Sequence, residues 1–304
     1  MQNQVAQSMK NSIKVYLVNS FTRDHCGGNP AGVVLNPPKL TTEQKIAIAQ
    51  QVGFSETAFV YSGDDTDFKV DFFTAEGEVD FCGHATLAVF FTLSSLKLLK
   101  PGDYSQKTKA GILTVTINHD NIVMEQTLPI TRKGPCVNDV AKALGILPEV
   151  IEKTDLPIEI VSTGLNDIFV PVQFGYLDAL QPDYQAIAAL SHKFDTIGFH
   201  VFELSHDQNI TAHCRNFAPR YGINEESATG SSSGALGCYL VHHLLPNKRQ
   251  FLFEQGRAMQ CSSLIDVFID STAKNVTRVQ VGGKATLIGT KIIEIKNTIF
   301  NKWR

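Results

Sequence analysis

The chain has 304 residues, 43% of them hydrophobic and 19% charged. That is the balance of a globular protein with room for one large domain or two ordinary ones, and it excludes a disordered chain. The net charge is −3 with no basic block, which argues against a nucleic-acid partner. The first ten residues, MQNQVAQSMK, lack the apolar core of a signal peptide, and the longest greasy stretch, LAVFFTLSSLKLL at 87–99, is too short to span a bilayer. The sequence therefore reads as cytoplasmic, with no membrane partner.

In chain order, KVYLVNSF (14–21) alternates Val15, Leu17, Asn19 and Phe21, the period of a strand. CGGNPAG (26–32) is turn chemistry before a short strand, VVL. LTTEQKIAIAQQVG (40–53) has helical spacing, with Thr42 as a cap and Gly53 as a stop. SETAFVYSG (55–63) and FKVDFF (68–73) return to strand composition. DFCGHATLAVF (80–90) opens a helix of about 15 residues. GILTVTI (111–117) and NIVMEQ (121–126), joined by Asn118-His119-Asp120, predict a hairpin.

Beyond residue 130 the pattern recurs. VNDVAKALGI (137–146) reads as a helix with Asn138 as a candidate cap. IEIVSTG (158–164) and IFVPV (168–172) read as strands, and YQAIAALSHKF (184–194) as a helix. FHVFELS (199–205) and ITAHCRNFAP (210–219) precede a glycine–serine run and a helix, GALGCYLVHHLL (234–245). LIDVFID, VTRVQVGG and TKIIEIK close the chain with strand character, and the tail after Lys296 reads as peripheral.

One internal similarity organises the whole. FKVDFFTAEG, a connector and FCGHATLAVFFTL parallel ITAHCRNFAP, a connector and ATGSSSGALGCYLV. Each is a strand, an acidic connector (Glu76 and Glu78; Glu225 and Glu226), a small-residue turn and an apolar helix. Two such copies suggest two similar halves whose turns face each other. A helix that begins with small residues leaves up to four backbone N–H groups unpaired and carries partial positive charge there. Two such mouths across a cleft can grip a carboxylate or stabilise a forming enolate. Neither turn matches a phosphate-binding loop, so a nucleotide site has little support.

Individual residues leave alternatives open. His84 suits a helix start as a packing or capping residue as well as a catalytic one. Glu56, among Phe54, Ala58 and Phe59, is either a half-buried carboxyl with a raised pKa or an outward residue on an amphipathic strand. The six cysteines (Cys26, Cys82, Cys136, Cys214, Cys238, Cys261) show no C-x-x-C and read as reduced thiols, most of them core filler. His206, His213 and Cys214 match no common metal-ligand spacing, so no metal is expected. Ser231, Ser232 and Ser233 lack a nucleophile elbow and read as helix caps.

Together the motifs resemble a known family. KVYLVNSFTRDHCGGNPAGVVL, GFSETAFV, FFTAEGEVDFCGHATLAVF, VSTGLND, RNFAPRYGINEESATGSSSGALGCYL and VGGKATLIG are similar, in order, to the signature blocks of the PhzF-like phenazine-biosynthesis isomerases, over most of residues 14–289. The resemblance implies an α+β fold like that of diaminopimelate epimerase: two pseudosymmetric domains, each a mostly antiparallel sheet rolled around a central helix. Its domains would be residues 12–128 and 129–287, with a last strand at about 288–297 returning to the first.

The resemblance also implies roles. Glu56, in the S-E-T motif, matches the family's proton-moving acid/base. Gly83 and His84 match its G-H-A-T turn, and Gly230 and Ser231 its T-G-S turn in the opposite half. Asn29, in the first block, and Ser232 join Gly83, Gly230 and Ser231 as implied substrate-binding residues. Glu226 falls where the family has the aspartate of E-D-P and would work with Glu56 and His84. Here the sequence is Glu225-Glu226-Ser227, and Ser232 replaces a usual alanine. Cys82 stands where diaminopimelate epimerases and proline racemases carry one catalytic cysteine, but Thr229 occupies the place of the second. Cys82 is then a packing residue or relic.

The implied activity is a cofactor-independent proton shift on a small unsaturated cyclic carboxylic acid, as in the family's isomerisation of a dihydro-hydroxyanthranilate. A homodimer is the family habit. The rivals are an amino- or hydroxy-acid epimerase or racemase of the same fold, and a non-catalytic member that binds small acids.

Overall fold

The computed structural model describes residues 12–119, 121–272 and 275–295. The opening ten residues, Asp120 of the expected hairpin connection and the tail from residue 296 lie outside the described residues.

The first series of elements is β1 (Ser12–Ser20), β2 (Asn29–Leu35), α1 (Thr42–Val52), β3 (Glu56–Ser62), β4 (Phe68–Phe73), β5 (Glu78–Val79), α2 (Gly83–Ser95), β6 (Gly102–Thr108), β7 (Gly111–Asn118) and β8 (Asn121–Gln126). After β9 (Ile130–Lys133), α3 (Val137–Leu144) and α4 (Glu149–Glu152) comes a second series. It contains β10 (Glu159–Ser162), β11 (Asn166–Pro171), α5 (Tyr184–Phe194), β12 (Gly198–Leu204), β13 (Ala212–Ala218), β14 (Ile223–Glu226), α6 (Gly230–His243), β15 (Gln250–Gln255), β16 (Ser263–Thr272) and β17 (Asn275–Gly283). β18 (Ala285–Glu294) ends the described chain.

The pairings repeat from one series to the other. β1–β2 is antiparallel, β2–β3 parallel, β3–β4 antiparallel, β4–β6 parallel, and β6–β7–β8 antiparallel. In the second series β10–β11 is antiparallel, β11–β12 parallel, β12–β13 antiparallel, β13–β15 parallel, and β15–β16–β17 antiparallel. Helices α1 and α5 make equivalent crossovers between parallel strands, as parallel neighbours require. The acidic connectors become the equivalent short strands β5 and β14, which pair back onto β4 and β13.

The two series join along equivalent strands, β8 against β17, with Met124 opposite Val281. Each also lends its last strand to the other: β9 pairs with β10, and β18 pairs with β1 from Ser12–Glu294 to Ser20–Ala285. The α+β class is as expected, a mostly antiparallel sheet rolled around central helices.

Those helices are α2 and α6. Both are apolar on every side rather than along one stripe, as a helix surrounded by sheet must be. Ala85, Leu87, Ala88, Val89 and Phe90 of α2 are fully buried, as are Ala235, Leu236, Leu240 and Val241 of α6, and both sets belong to one continuous core. On α6, small residues permit close approach. A Cβ on Gly237 would lie 2.8 Å from Val267 Cγ1, and one on Gly234 would lie 2.9 Å from Val281 Cγ2. Two smaller cores lie on the outer faces, one under α3 to α5 and one under α1.

The structure corrects several boundaries. The cap of α1 is Thr41, not Thr42, because Gln44 completes a reciprocal capping box with it. Helix α3 is capped by Cys136 without a side-chain bond, and Asn138 lies inside it. Helix α6 begins at Gly230, so Ser231, Ser232 and Ser233 are first-turn residues rather than caps. Strands β6, β9 and β15 have no counterpart in the sequence reading. β6 is largely polar, β9 is exposed along its whole length with Ile130 in solvent, and β15 is mostly buried through Phe251 and Phe253; tertiary pairing holds all three.

If the α6 axis is the packed centre it resembles, Leu236→Ala should lower stability by about 2–5 kcal/mol. The measure is a fall in denaturant midpoint at unchanged slope. An unmoved midpoint would show that α6 is loosely held.

Candidate active site

Helices α2 and α6 begin alike. The cap positions, Cys82 (φ −146°, ψ 116°) and Thr229 (φ −129°, ψ 95°), are extended, and neither side chain caps its helix. Each is turned elsewhere: the Cys82 sulfur lies 3.3 Å from His84 Nδ1, and Thr229 Oγ1 donates to Glu226 Oε2 at 2.8 Å. The first-turn N–H groups of both helices therefore lack side-chain caps, the condition for an anion site. Gly83 keeps the α2 mouth open, since a Cβ there would find no atom nearer than 3.9 Å. Gly230 is tighter, with Phe21 Cζ 3.2 Å from such a Cβ.

Glu56 begins β3 on the face that carries Ala58 into the central core, while Phe59 packs outward under α1. This alternation aims the carboxyl at the α2 mouth. Glu56 Oε2 lies 3.2 Å from His84 Nε2, but off the ring N–H direction, so this buried oxygen has no aligned hydrogen-bond partner. Ser55 Oγ is 3.4 Å from the same nitrogen.

Asn29 ties the halves together. Its Nδ2 donates to Glu226 Oε1 at 2.9 Å and to the Ala228 carbonyl at 3.1 Å, and it lies 3.4 Å from His84 Nδ1. Gln255 holds the opposite side, donating to the Glu226 carbonyl at 2.7 Å and to Thr229 Oγ1 at 3.0 Å. Ser227 Oγ donates to the Gly28 carbonyl at 3.0 Å, a bond across the halves that a proline could not make. Asn29, Glu56, His84 and Glu226 thus meet at one seam.

Ser231 is half-buried at the α6 mouth. Ser232 faces inward: its hydroxyl donates to Asp167 and accepts from Asn216 Nδ2. Any contact it makes with a ligand runs through its main chain. Sequence reasoning missed Ser55, Thr229, Gln255 and Gln126 as supports. Gln126 donates to the Gly230 carbonyl at 3.0 Å and accepts from Thr163, and nothing local in NIVMEQ signals this.

The charges depart from one expectation. Burial alone would raise the Glu56 carboxyl, but His84, with help from Ser55 and Cys82, outweighs it, and the pKa falls below the ordinary 4.5. The expected rise is therefore reversed, because the cleft supplies a cation that the apolar sequence neighbours did not reveal. Burial opposes charge on His84, yet Cys82 and Glu56 carry its pKa well above 6.5. Burial, then Glu56, pushes the Cys82 thiol up from 9.0, so at neutral pH the charge facing His84 is that of Glu56. The raised carboxyl is Glu226, through burial.

The residues weighed for metal are dispersed among other partners. His213 pairs with Glu254 at 2.7 Å, His206 stacks on Phe174, and Cys214 is a buried thiol. They border or adjoin a separate cavity of about 560 Å³ lined by Arg23, Glu203, Glu254 and Arg257 among others, away from Glu56 and His84.

Comparison with known proteins agrees with this architecture. Residues 18–290 match the family described as phenazine biosynthesis-like protein. An uncharacterized isomerase of Clostridium acetobutylicum is 35% identical over 290 residues, covering 90% of this chain and 95% of its own. The crystal structure of a PhzF-family phenazine biosynthesis protein of Bacillus anthracis has a TM-score of 0.85 at 28% identity, covering 93% of this chain and 99% of that one. A hydroxyproline epimerase from Agrobacterium vitis shares the fold, at TM-score 0.62 and 11% identity over 93% of this chain and 91% of its own.

The paired charges make a direct prediction. With its folded pKa above the unfolded 6.5, His84 contributes stability that is complete below about pH 6.5 and fades as pH rises through the folded value. In an NMR titration the His84 imidazolium should persist above pH 6.5, and Glu56→Gln should lower its midpoint. An unchanged midpoint in that variant would show that Glu56 is not the charge partner.

Proposed function

The chain belongs to the phenazine biosynthesis-like (PhzC-PhzF) family and is an isomerase or epimerase by that membership. From this premise we propose that it shifts a proton on a small unsaturated cyclic carboxylic acid, with Glu56 as the general base. The observation that carries the reading is Glu56 Oε2, a buried carboxylate oxygen without an aligned partner, at the seam where both uncapped helix mouths meet.

In this reading the substrate carboxylate lies against the first-turn N–H groups of α2 and α6. Glu56 Oε2 takes a proton from an activated carbon, and the C–H electrons move into the conjugated system. The double bond shifts, and the protonated Glu56, whose proton exchanges with solvent, delivers a proton at the far end. Atoms and electrons are conserved, so no cofactor is required. Fixed N–H donors aimed at the developing charge stabilise it without reorganisation. His84, positively charged beside Glu56, keeps the base ionised before reaction, and His84 and Glu226 orient the substrate's polar substituents. Asn29 holds Glu226 in place across the seam.

Position 226 carries one methylene more than the family's aspartate. The longer arm reaches Asn29 and Thr229 together, so the carboxyl is anchored at the cleft wall. We take the two halves as residues 12–128 with β18, and residues 129–287. A homodimer in the cytoplasm completes the proposal, and light scattering tests its size.

Racemase chemistry through a thiol pair has Cys82 on one side but Thr229 on the other, and Cys82 is a protonated thiol at neutral pH. The experiment is incubation with a panel of small unsaturated carboxylic acids in D₂O, following deuterium entry at carbon. Glu56→Gln should slow exchange by about 10²–10⁴-fold, the usual worth of a general base, and Cys82→Ala should retain most of it. An active Glu56→Gln with an inactive Cys82→Ala would replace this mechanism with cysteine racemisation. Ligand binding without exchange would favour a non-catalytic member.

The free-enzyme pKa values also shape the rate. kcat/KM should hold level from below pH 4.5, where Glu56 becomes protonated, to above pH 6.5, where His84 loses its proton. An acidic limb above pH 5 would mean that Glu56 is not the titrating base.

A further inference from the structure

We propose that Gln126 and Thr163 are positioning residues for the α6 mouth. A hydrogen-bond relay, from the Thr163 hydroxyl through the Gln126 amide to the Gly230 carbonyl, strengthens the Ser231 N–H as a donor to the substrate carboxylate. This rests on the placement of that carboxylate proposed above and adds the residues that tune it.

The relay runs in one direction. Thr163 Oγ1 donates to Gln126 Oε1 at 2.6 Å, and Gln126 Nε2 donates to the Gly230 carbonyl at 3.0 Å. A carbonyl only accepts, so the Gln126 nitrogen must face Gly230, which leaves its oxygen for the Thr163 hydroxyl. The Gly230 carbonyl and the Ser231 N–H belong to one peptide unit. A donor on the first draws electron density from the second, and successive hydrogen bonds in a low-dielectric interior polarise one another in this way. Ser231 lies in the first turn of α6, where its N–H has no intrahelical acceptor, so an anion can use the strengthened donor. Thr163 Oγ1 also lies 3.2 Å from the Ser231 carbonyl and acts on the next peptide unit from that longer distance.

The packing is specific to this arrangement. Gln126 ends β8 in the first half, opposite Val279 of β17, and reaches across the seam. Its amide lies against Gly234: a Cβ there would sit 2.0 Å from Gln126 Oε1 and 2.8 Å from its Cδ. Glycine at 234, one turn after Gly230, is what lets the amide reach the helix. Thr163 is buried just after β10, and its carbonyl accepts from the Thr127 N–H at 3.2 Å. Consecutive residues of the first half, 126 and 127, therefore hold Thr163 by its hydroxyl and by its main chain.

The relay matters most during the reaction. As Glu56 removes its proton, negative charge spreads through the conjugated system into the carboxylate. A stronger donor then stabilises the transition state more than the bound substrate, so its loss should lower kcat more than it raises KM.

The test uses Gln126→Met and Thr163→Val, which remove polar atoms at similar volume, and Thr163→Ser, which keeps the hydroxyl. Circular dichroism confirms that each is folded. In the ligand-free protein the Ser231 amide signal in a ¹H–¹⁵N spectrum should move upfield in Gln126→Met and, by less, in Thr163→Val, and should return in Thr163→Ser. Benzoate serves as a carboxylate probe that cannot isomerise. It should shift the Ser231 signal of the unmodified protein, and Gln126→Met and Thr163→Val should bind it about 2–10-fold more weakly, the net worth of one hydrogen bond. Deuterium exchange should lose more in kcat than in KM. A Ser231 signal unmoved in Gln126→Met, or binding and exchange unchanged in both variants, would overturn the relay. A Ser231 signal that responds to the substitutions but not to benzoate would instead overturn the carboxylate placement, and the relay would have no ligand to serve.

Discussion

Both central helices are buried on every side, and this constraint fixes everything else. A helix wrapped by sheet cannot slide without opening its core, so its first turn is a rigid fixture. Cys82 and Thr229 leave those first turns without side-chain caps. Two rigid, uncapped helix starts then meet where β8 pairs with β17 and where Asn29 reaches across to Glu226. Preorganised donors are most effective when they need not move during the reaction. Here they are held by packing, and the loops that cross the seam hold the rest.

The departures at 226 and 227 make sense within this frame. A shorter acid followed by proline would lose the Ser227 bond to the Gly28 carbonyl. It would also have to span both Asn29 and Thr229 with one methylene less. The chain instead fastens its two halves through Ser227 and anchors Glu226 between donors from each side. The cost is a carboxyl buried enough to have a raised pKa, placed opposite a carboxylate that His84 keeps low. Two acids of opposite disposition at one seam are the arrangement expected where environment assigns separate proton roles.

Much of the fold was legible because its signals were local and duplicated. Val15 and Leu17 mark β1 by alternation, although the strand ends at Ser20 and Phe21 lies beyond it, and the repeat of strand, acidic connector, small turn and apolar helix foretold the equivalence of α2 and α6. The pairings of β6, β9 and β15 were not legible, since these strands are specified by their neighbours rather than by period. At the site, Glu56, His84 and Glu226 were reached through motif resemblance. The reversed shift at Glu56 was not, because it depends on an imidazole brought from α2 to within 3.2 Å. The supports Gln126 and Gln255 were invisible for the same reason: each acts through a partner far away in sequence.

The most direct measurement is a crystal structure with a small unsaturated cyclic carboxylic acid bound. The ligand carboxylate is expected within hydrogen-bond distance of first-turn N–H groups from both α2 and α6, with a ring carbon facing Glu56 Oε2. A carboxylate found instead beside Arg23 and Arg257, in the separate charged cavity, would contradict it.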